Sequence, residues 1–152
     1  MPTELTGVPE KIRLHINGIL GRTDWKLRND TEKVDYSEKL ALGRYSLTVP
    51  SEPSESGLVA SFKLYPMINC CGICVSTQAM VTAAYQHKGL GTLLNQVRID
   101  IARSLGYSLL LCTDIEKNAY QRKILARNGW RDIANFINRR TNNRVYISCI
   151  NL

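Results

Sequence analysis

The chain has 152 residues, 44% of them hydrophobic and 22% charged, with a formal net charge of +7. That length suffices for one domain with a core of its own, and the balance is that of a globular protein, not of a disordered or fibrous one. No apolar run approaches the roughly 20 residues that span a bilayer, and the N-terminus lacks the charged-then-apolar pattern of a signal peptide, so a cytoplasmic protein with no membrane partner is expected. The count of five cysteines is odd. Cys70, Cys71 and Cys74 cluster, but no second pair or nearby histidine completes a zinc ligand set, so no metal is expected; Cys112 and Cys149 sit in apolar runs and read as buried thiols. The positive charge suits an anionic ligand or an acidic macromolecule, or simply a solvated face.

From the N-terminus, Pro9 precedes Ile12, Ile16, Ile19 and Leu20 at helical spacing, with Gly18 and Gly21 limiting the helix. His15 lies on it between apolar positions, as a packed or surface residue. Trp25, Tyr36 and Tyr45 are core aromatics or the lining of an acceptor pocket, and base rates favour core. Residues 44–49 alternate as a strand, 50–57 form an exposed loop, 58–65 a second strand, 66–72 a turn and 73–81 a third strand. An antiparallel meander therefore leads into the most informative stretch of the chain.

That stretch is Val81-Thr82-Ala83-Ala84-Tyr85-Gln86-His87-Lys88-Gly89-Leu90-Gly91-Thr92. Gly89 and Gly91 let the backbone bend and approach a ligand, and the first amides of the helix that follows have no partner inside it. Those N–H groups, the positive end of the helix dipole and Lys88 favour a phosphate lying across the turn. The spacing is neither that of a P-loop nor Gly-x-Gly-x-x-Gly. Leu90, Leu93, Leu94, Val97, Ile101 and Leu105 give the helix its apolar stripe, Gln96, Arg98, Asp100 and Arg103 fall largely elsewhere, and Gly106 ends it. A strand over 107–112 follows, then a helix opened by Asn118, for which Gln121 completes a capping-box spacing. Residues 131–138 and 144–150 read as two strands joined by the polar turn 139–143.

Gln86, Gly89 and Gly91, placed between strand and helix, resemble the Gln/Arg-x-x-Gly-x-Gly/Ala signature of the GNAT superfamily of N-acetyltransferases. Asn118, opening a helix that closes in Gly129-Trp130, resembles the family's second signature, an Asn-led helix ending in Gly-Phe or Gly-Tyr. Together these cover residues 73–152; residues 1–56 have no comparable match. The final hairpin resembles the tail of short phage-encoded members, for which the location would be a host cytoplasm. The resemblance implies one domain over 1–152, an α/β (α+β) fold whose mixed, mainly antiparallel sheet has a splayed strand pair and flanking helices. It implies acetyl-CoA as cofactor, with the backbone of Met80, Val81 and Ala83 bonding the pantetheine arm. The amides of His87, Lys88, Gly89, Leu90, Gly91 and Thr92 would hold the pyrophosphate, Gln86 would shape the turn, and Asn118, with Gln121 beside it, would reach towards the arm.

Direct acetyl transfer needs a neutral amine, a polarised thioester carbonyl and a proton for the leaving thiolate, and an ordinary ammonium is mostly protonated at neutral pH. A backbone N–H near Val81 would stabilise the developing oxyanion. The chain departs from better-known members at two positions. Seven residues after Asn118, where the family commonly has a tyrosine acid, stands Leu125; five before it, where some members have a carboxylate, stands Thr113. Asp114, next to that position, is the candidate base, or else a loop or capping residue that strand alternation turns to the other face. Tyr120 is a candidate acid, or a core contact. Proton transfer through water, with orientation supplying the acceleration, is the alternative. The expected function is acetyl-CoA-dependent N-acetylation of a primary amine on a protein or small molecule, with an RNA-bound amine also open. The alternative is a catalytically impaired CoA-binding domain acting through a protein or nucleic acid partner. A plain nucleic-acid binder has only the arginines of the hairpin in its favour, with no stacking motif or helix-turn-helix. Monomer and homodimer are both compatible with the sequence.

Overall fold

The computed structural model describes residues 3–4, 8–30 and 43–152. Tyr36 lies outside them. The chain begins with β1 (Thr3–Glu4), α1 (Glu10–Leu20), β2 (Lys26–Asp30), β3 (Gly43–Thr48), β4 (Leu58–Pro66) and β5 (Ile73–Val81). It continues through α2 (Leu90–Ser104), β6 (Leu109–Ile115), α3 (Ala119–Arg127), β7 (Arg131–Ile137) and β8 (Arg144–Asn151). Among the described residues these strands form one eight-stranded sheet in the order β1-β2-β3-β4-β5-β6-β8-β7. Every neighbouring pair is antiparallel except β5 and β6, which run parallel because α2 carries the chain back between them. The α/β architecture expected from the resemblance is present.

Alternation sets the sheet's inner face. Tyr45, Leu47 and Val49 point into the core, and Tyr45 stacks on Phe62 of β4 with ring centroids 5.1 Å apart. Ile12 and Ile16 are the buried positions of α1, which ends where Gly21 takes a φ of 65° and its N–H bonds Asn17 O. Trp25 is buried and donates from Nε1 to Asn17 Oδ1 at 2.7 Å, so both described aromatics of the N-terminal part belong to the core. His15 is exposed on α1. Strand β2 is weakly written in the sequence because Leu27 is its one strongly apolar residue; its inward set is Trp25, Leu27 and Asn29.

Two expectations shift. The strand expected at 107–112 is Leu109–Ile115, since β8 pairs with it from Leu109↔Asn151 through Ile115↔Val145 and carries the ladder past the apolar run. Arg98, placed by periodicity with the polar residues of α2, is only 3% exposed. Helix α2 touches α1, α3, β4 and β5, so most of its circumference is covered and little of it is left for solvent. Trp130, beyond Gly129 at a φ of 83°, donates from Nε1 to the buried Asn95 Oδ1 at 3.1 Å and ties the start of β7 to α2. Among the described residues no helix is long and apolar enough to cross a membrane.

Candidate active site

The parallel ladder between β5 and β6 is short. It runs from Ile73↔Leu109 to Ser76↔Cys112 and stops, although β5 continues to Val81 and β6 to Ile115. The cause lies on the other edge of β5. Against β4 the register passes from Lys63↔Thr77 to Ser61↔Met80, so Phe62 faces two residues, Gln78 and Ala79, and Gln78 adopts a φ of 51°. An extra residue of this kind bends the bulged strand and increases its twist. Cys74 and Ser76, before the bulge, are buried, whereas Gln78, Ala79 and Met80, after it, are exposed. The strands part there and leave a cavity of about 510 Å³ lined by Thr77, Ala79, Thr113, Asp114, Asn118 and others.

A second cavity of about 340 Å³ continues over the glycine turn and is lined by Met80, Val81, Gln86, His87, Gly91 and Tyr120 among others. Strand β5 ends at Val81, and residues Ala83–Tyr85 form one 3-10 turn. Gly89 takes a φ of 86° as the N-cap of α2, and His87 a φ of 61°. Leu93 N bonds Gly89 O, but among the described residues no acceptor meets the N–H groups of His87, Lys88, Gly89, Leu90, Gly91 or Thr92. A run of free amides at a helix start favours an anion. At Gly91 an added Cβ would lie 3.1 Å from Ile124 Cδ1 and 3.9 Å from Tyr120 Cε1, so α3 packs closely on the turn and a side chain there would press on Ile124.

The expected backbone partners are only partly free. Gln86 Nε2 donates to Val81 O at 2.9 Å, bridging the turn and occupying that carbonyl. Ala83 is not on the strand, and its carbonyl accepts from Gln86 N at 3.3 Å. Met80 is the exposed strand residue of the three. Asn118 caps α3, its Oδ1 accepting from Gln121 N at 3.2 Å, and both residues line the two cavities. Lys88 Nζ sits 5.8 Å from the centre of the Tyr85 ring, beside the free amides.

Of the candidate catalytic residues, Thr113 is exposed and Asp114 buried, so alternation does put them on opposite faces of β6, while both line the gap. Asp114 is part of a network. Its Oδ2 accepts from Arg122 Nη1 at 2.9 Å, while Arg122 Nη2 donates to Asp132 Oδ2 at 2.8 Å; the single hydroxyl proton of Ser148 goes to Asp132 Oδ1 at 2.9 Å, with Asp114 Oδ1 farther off at 3.4 Å. Arg122 also lies over the Tyr146 ring, 3.6 Å from its centre. Burial pushes the Asp114 carboxyl above its ordinary range, with the Arg122 hydrogen bond pulling the other way. Tyr120 is exposed and lines the cavity over the glycine turn, its ring 6.1 Å from that of His87. Leu125 faces the hydrophobic core.

Arg98 is the residue that sequence reasoning passed over. It lines both cavities, and its Nη1 donates to Ser76 Oγ at 2.9 Å, on the last residue of β5 still paired with β6. A signal existed: Arg98 directly follows Val97 and precedes Ile99, both buried, in a helix whose apolar stripe is wide.

Among solved structures the chain is similar to a GNAT family acetyltransferase from Elizabethkingia anophelis with acetyl-CoA bound, with 13% identity, a TM-score of 0.66, and 86% of this chain and 100% of that one covered. It is also similar to an IAA acetyltransferase from Bacillus cereus, at 12% identity and a TM-score of 0.60 over 100% of this chain and 99% of that one. A Bacillus subtilis acetyltransferase in complex with CoA matches at 15% identity and a TM-score of 0.60, over 73% of this chain and 77% of that one. No family sequence model and no curated protein matches the chain. At such identities the likeness is one of backbone architecture, and in that architecture the chain has the fold of the GNAT acetyltransferases.

Proposed function

We propose that the protein is an acetyl-CoA-dependent N-acetyltransferase that transfers an acetyl group directly to a primary amine. The observation that carries this reading is the run of unpartnered amides from His87 to Thr92, opening on a cavity that continues into the gap between β5 and β6. The residues fit the group: donors without acceptors for a diphosphate, a glycine where a side chain would meet α3, and an interrupted strand edge for an extended arm. Two of the solved structures with this fold carry CoA or acetyl-CoA.

Acetyl-CoA supplies the thioester: the amine nitrogen bonds the carbonyl carbon, the carbon–sulfur bond breaks, the amine loses one proton and the sulfur gains one, giving an amide and free CoA. The free amides of the turn bind and orient, and such positioning is a large source of acceleration. A backbone N–H at the exposed end of β5, near Met80 and Val81, would donate to the oxyanion. Tyr120 and His87 flank the turn and belong with the diphosphate grip more than with proton transfer. Asp114 remains the side-chain base nearest the gap; its Oδ2 already accepts from Arg122, which favours removal of the amine proton through water entering beside Thr113.

A second reading has a specific observation in its favour. With Leu125 in the core and Asp114 bound to Arg122, no uncommitted carboxylate or histidine lines the gap cavity among the described residues, as suits a CoA-binding domain that acts through a protein or nucleic acid partner. Chromatographic measurement of CoA released from acetyl-CoA in the presence of polyamines, amino acids, peptides and aminoacylated RNA distinguishes the two. Amine-dependent CoA release supports the enzyme; tight acetyl-CoA binding with no release for any amine supports the domain. A cytoplasmic site of action, and a host cytoplasm for a phage-encoded chain, are proposals resting on the sequence.

A further inference from the structure

Arg98 is a charged side chain that the sheet and α2 bury almost completely, at 3% exposure. A guanidinium stays protonated in proteins, and its burial without a partner is unfavourable unless something supplies the missing charge. Burial does depress this one, and among the described residues the ionisable group that opposes the effect is Cys112. The Cys112 thiol is itself pushed up to about 12 and is neutral at physiological pH. No carboxylate among the described residues pairs with Arg98; the acid in the gap, Asp114, is held by Arg122.

The position of the guanidinium is informative. Its Nη1 donates to Ser76, where the β5–β6 ladder ends, so the charge sits at the apex of the parting strands. Its Nε has no partner. That leaves the Nε edge of the fork unused, the edge from which an arginine grips a carboxylate with two parallel hydrogen bonds. Arg98 also borders both the cavity over the glycine turn and the gap cavity, together with Ala79, Asn118 and Gln121. A molecule entering from either end meets the same cation.

We infer that Arg98 is an anion anchor at the apex of the gap, which selects a reactant carrying a carboxylate. This rests on the acyltransferase reading above. The carboxylate has two possible sources, the far end of a dicarboxylic acyl group on the thioester or an amino-acid-type acceptor. In either case a neutral group at the apex leaves Arg98 unpaired, and an anionic one completes its fork. The protein then discriminates by charge at a point deeper than the exposed turn.

Calorimetry on the intact protein tests this without relying on turnover. Wild type is titrated with acetyl-CoA and with succinyl-CoA, and then, saturated with CoA, with a set of amino acids and with their amides. A carboxylate that engages Arg98 should bind about tenfold or more tightly than its neutral counterpart, the usual worth of a charge-assisted hydrogen bond. Preference for succinyl-CoA assigns the donor, and preference for amino acids over amides assigns the acceptor. Arg98→Met should abolish whichever preference is found, and if that variant fails to fold, Ser76→Ala, which releases the anchor's own restraint, should reduce it. Equal affinities within both pairs, with CoA esters still binding, overturn the anion anchor and leave the acyltransferase reading standing. Failure of every CoA ester to bind removes both.

Discussion

Gly89 offers a clean separation of backbone strain from charge in the proposed cradle. Its φ of 86° is in the left-handed region, and an added Cβ would meet only Ile19 Cδ1, at 4.0 Å, so space is no obstacle. Gly89→Ala therefore loses stability by about 1–2 kcal/mol, the cost of that region for a residue with a Cβ. Gly89→Glu carries the same strain and adds a carboxylate beside the free amides. At roughly 5 Å from a diphosphate and an effective dielectric constant of about 20, each unit of like charge is repelled by about 3 kcal/mol. Water at an exposed turn lowers this to about 1.5–3 kcal/mol, or roughly 10–100-fold in Kd. Acetyl-CoA titrations of both variants by calorimetry, at low and high salt, isolate the charge contribution: Glu should bind more weakly than Ala, and salt should narrow the difference. Equal Kd values for the two at low salt would refute an anion cradle at this turn, whatever the stability of either protein.

Other consequences are open to measurement. Leu125→Tyr restores the tyrosine that the family resemblance leads one to expect but forces a larger polar residue into the core; it should lower stability by about 1–3 kcal/mol and leave turnover no higher, and a faster enzyme would show that this helix face reaches the thioester. The Asp132 carboxyl is held below its ordinary range by the Arg122 hydrogen bond. A carboxyl with a depressed folded-state pKa stabilises above its unfolded-state value and loses that contribution as pH falls through the folded-state value. The stability deficit of Asp132→Asn, followed by urea unfolding, should be present at pH 6 and shrink below about pH 3; a deficit independent of pH contradicts the pairing. The buried Cys74 and Cys112 thiols are both pushed up to about 12. At pH 8 their thiolate fraction is about a thousandfold below that of an unperturbed cysteine, so iodoacetamide with mass-spectrometric readout should label exposed Cys71 long before either. Comparable labelling rates would place Cys74 and Cys112 outside the core.

The elements that define this fold are largely local statements. Helix α2 announces itself through Leu90, Leu93, Leu94 and Val97 at helical spacing behind two glycines, and α3 through Asn118 at its start, where the side chain does cap Gln121 N. The meander is legible from alternation in β3 and from the loop between Thr48 and Leu58. Strand β2 was not legible, because a strand that inserts Trp25, Leu27 and Asn29 inward lacks the apolar repeat that alternation depends on. The end of β6 was missed for a related reason: Thr113-Asp114-Ile115 is a strand because β8 pairs with it, not because of its composition.

The glycine turn and its free amides were thus determined by sequence alone, since the conformations a glycine permits and the unpaired donors of a helix start depend on residues a few positions apart. The chemistry around them was decided in three dimensions. One extra residue opposite Phe62 bends β5 away from β6, a register fact involving two distant strands. Asp114 and Asp132, on different strands, share Arg122 of α3, and Arg98 is buried because α2 is covered by α1, α3 and the sheet together. Helical periodicity gives the angle at which a side chain leaves its axis, and only packing decides whether water or another element lies in that direction.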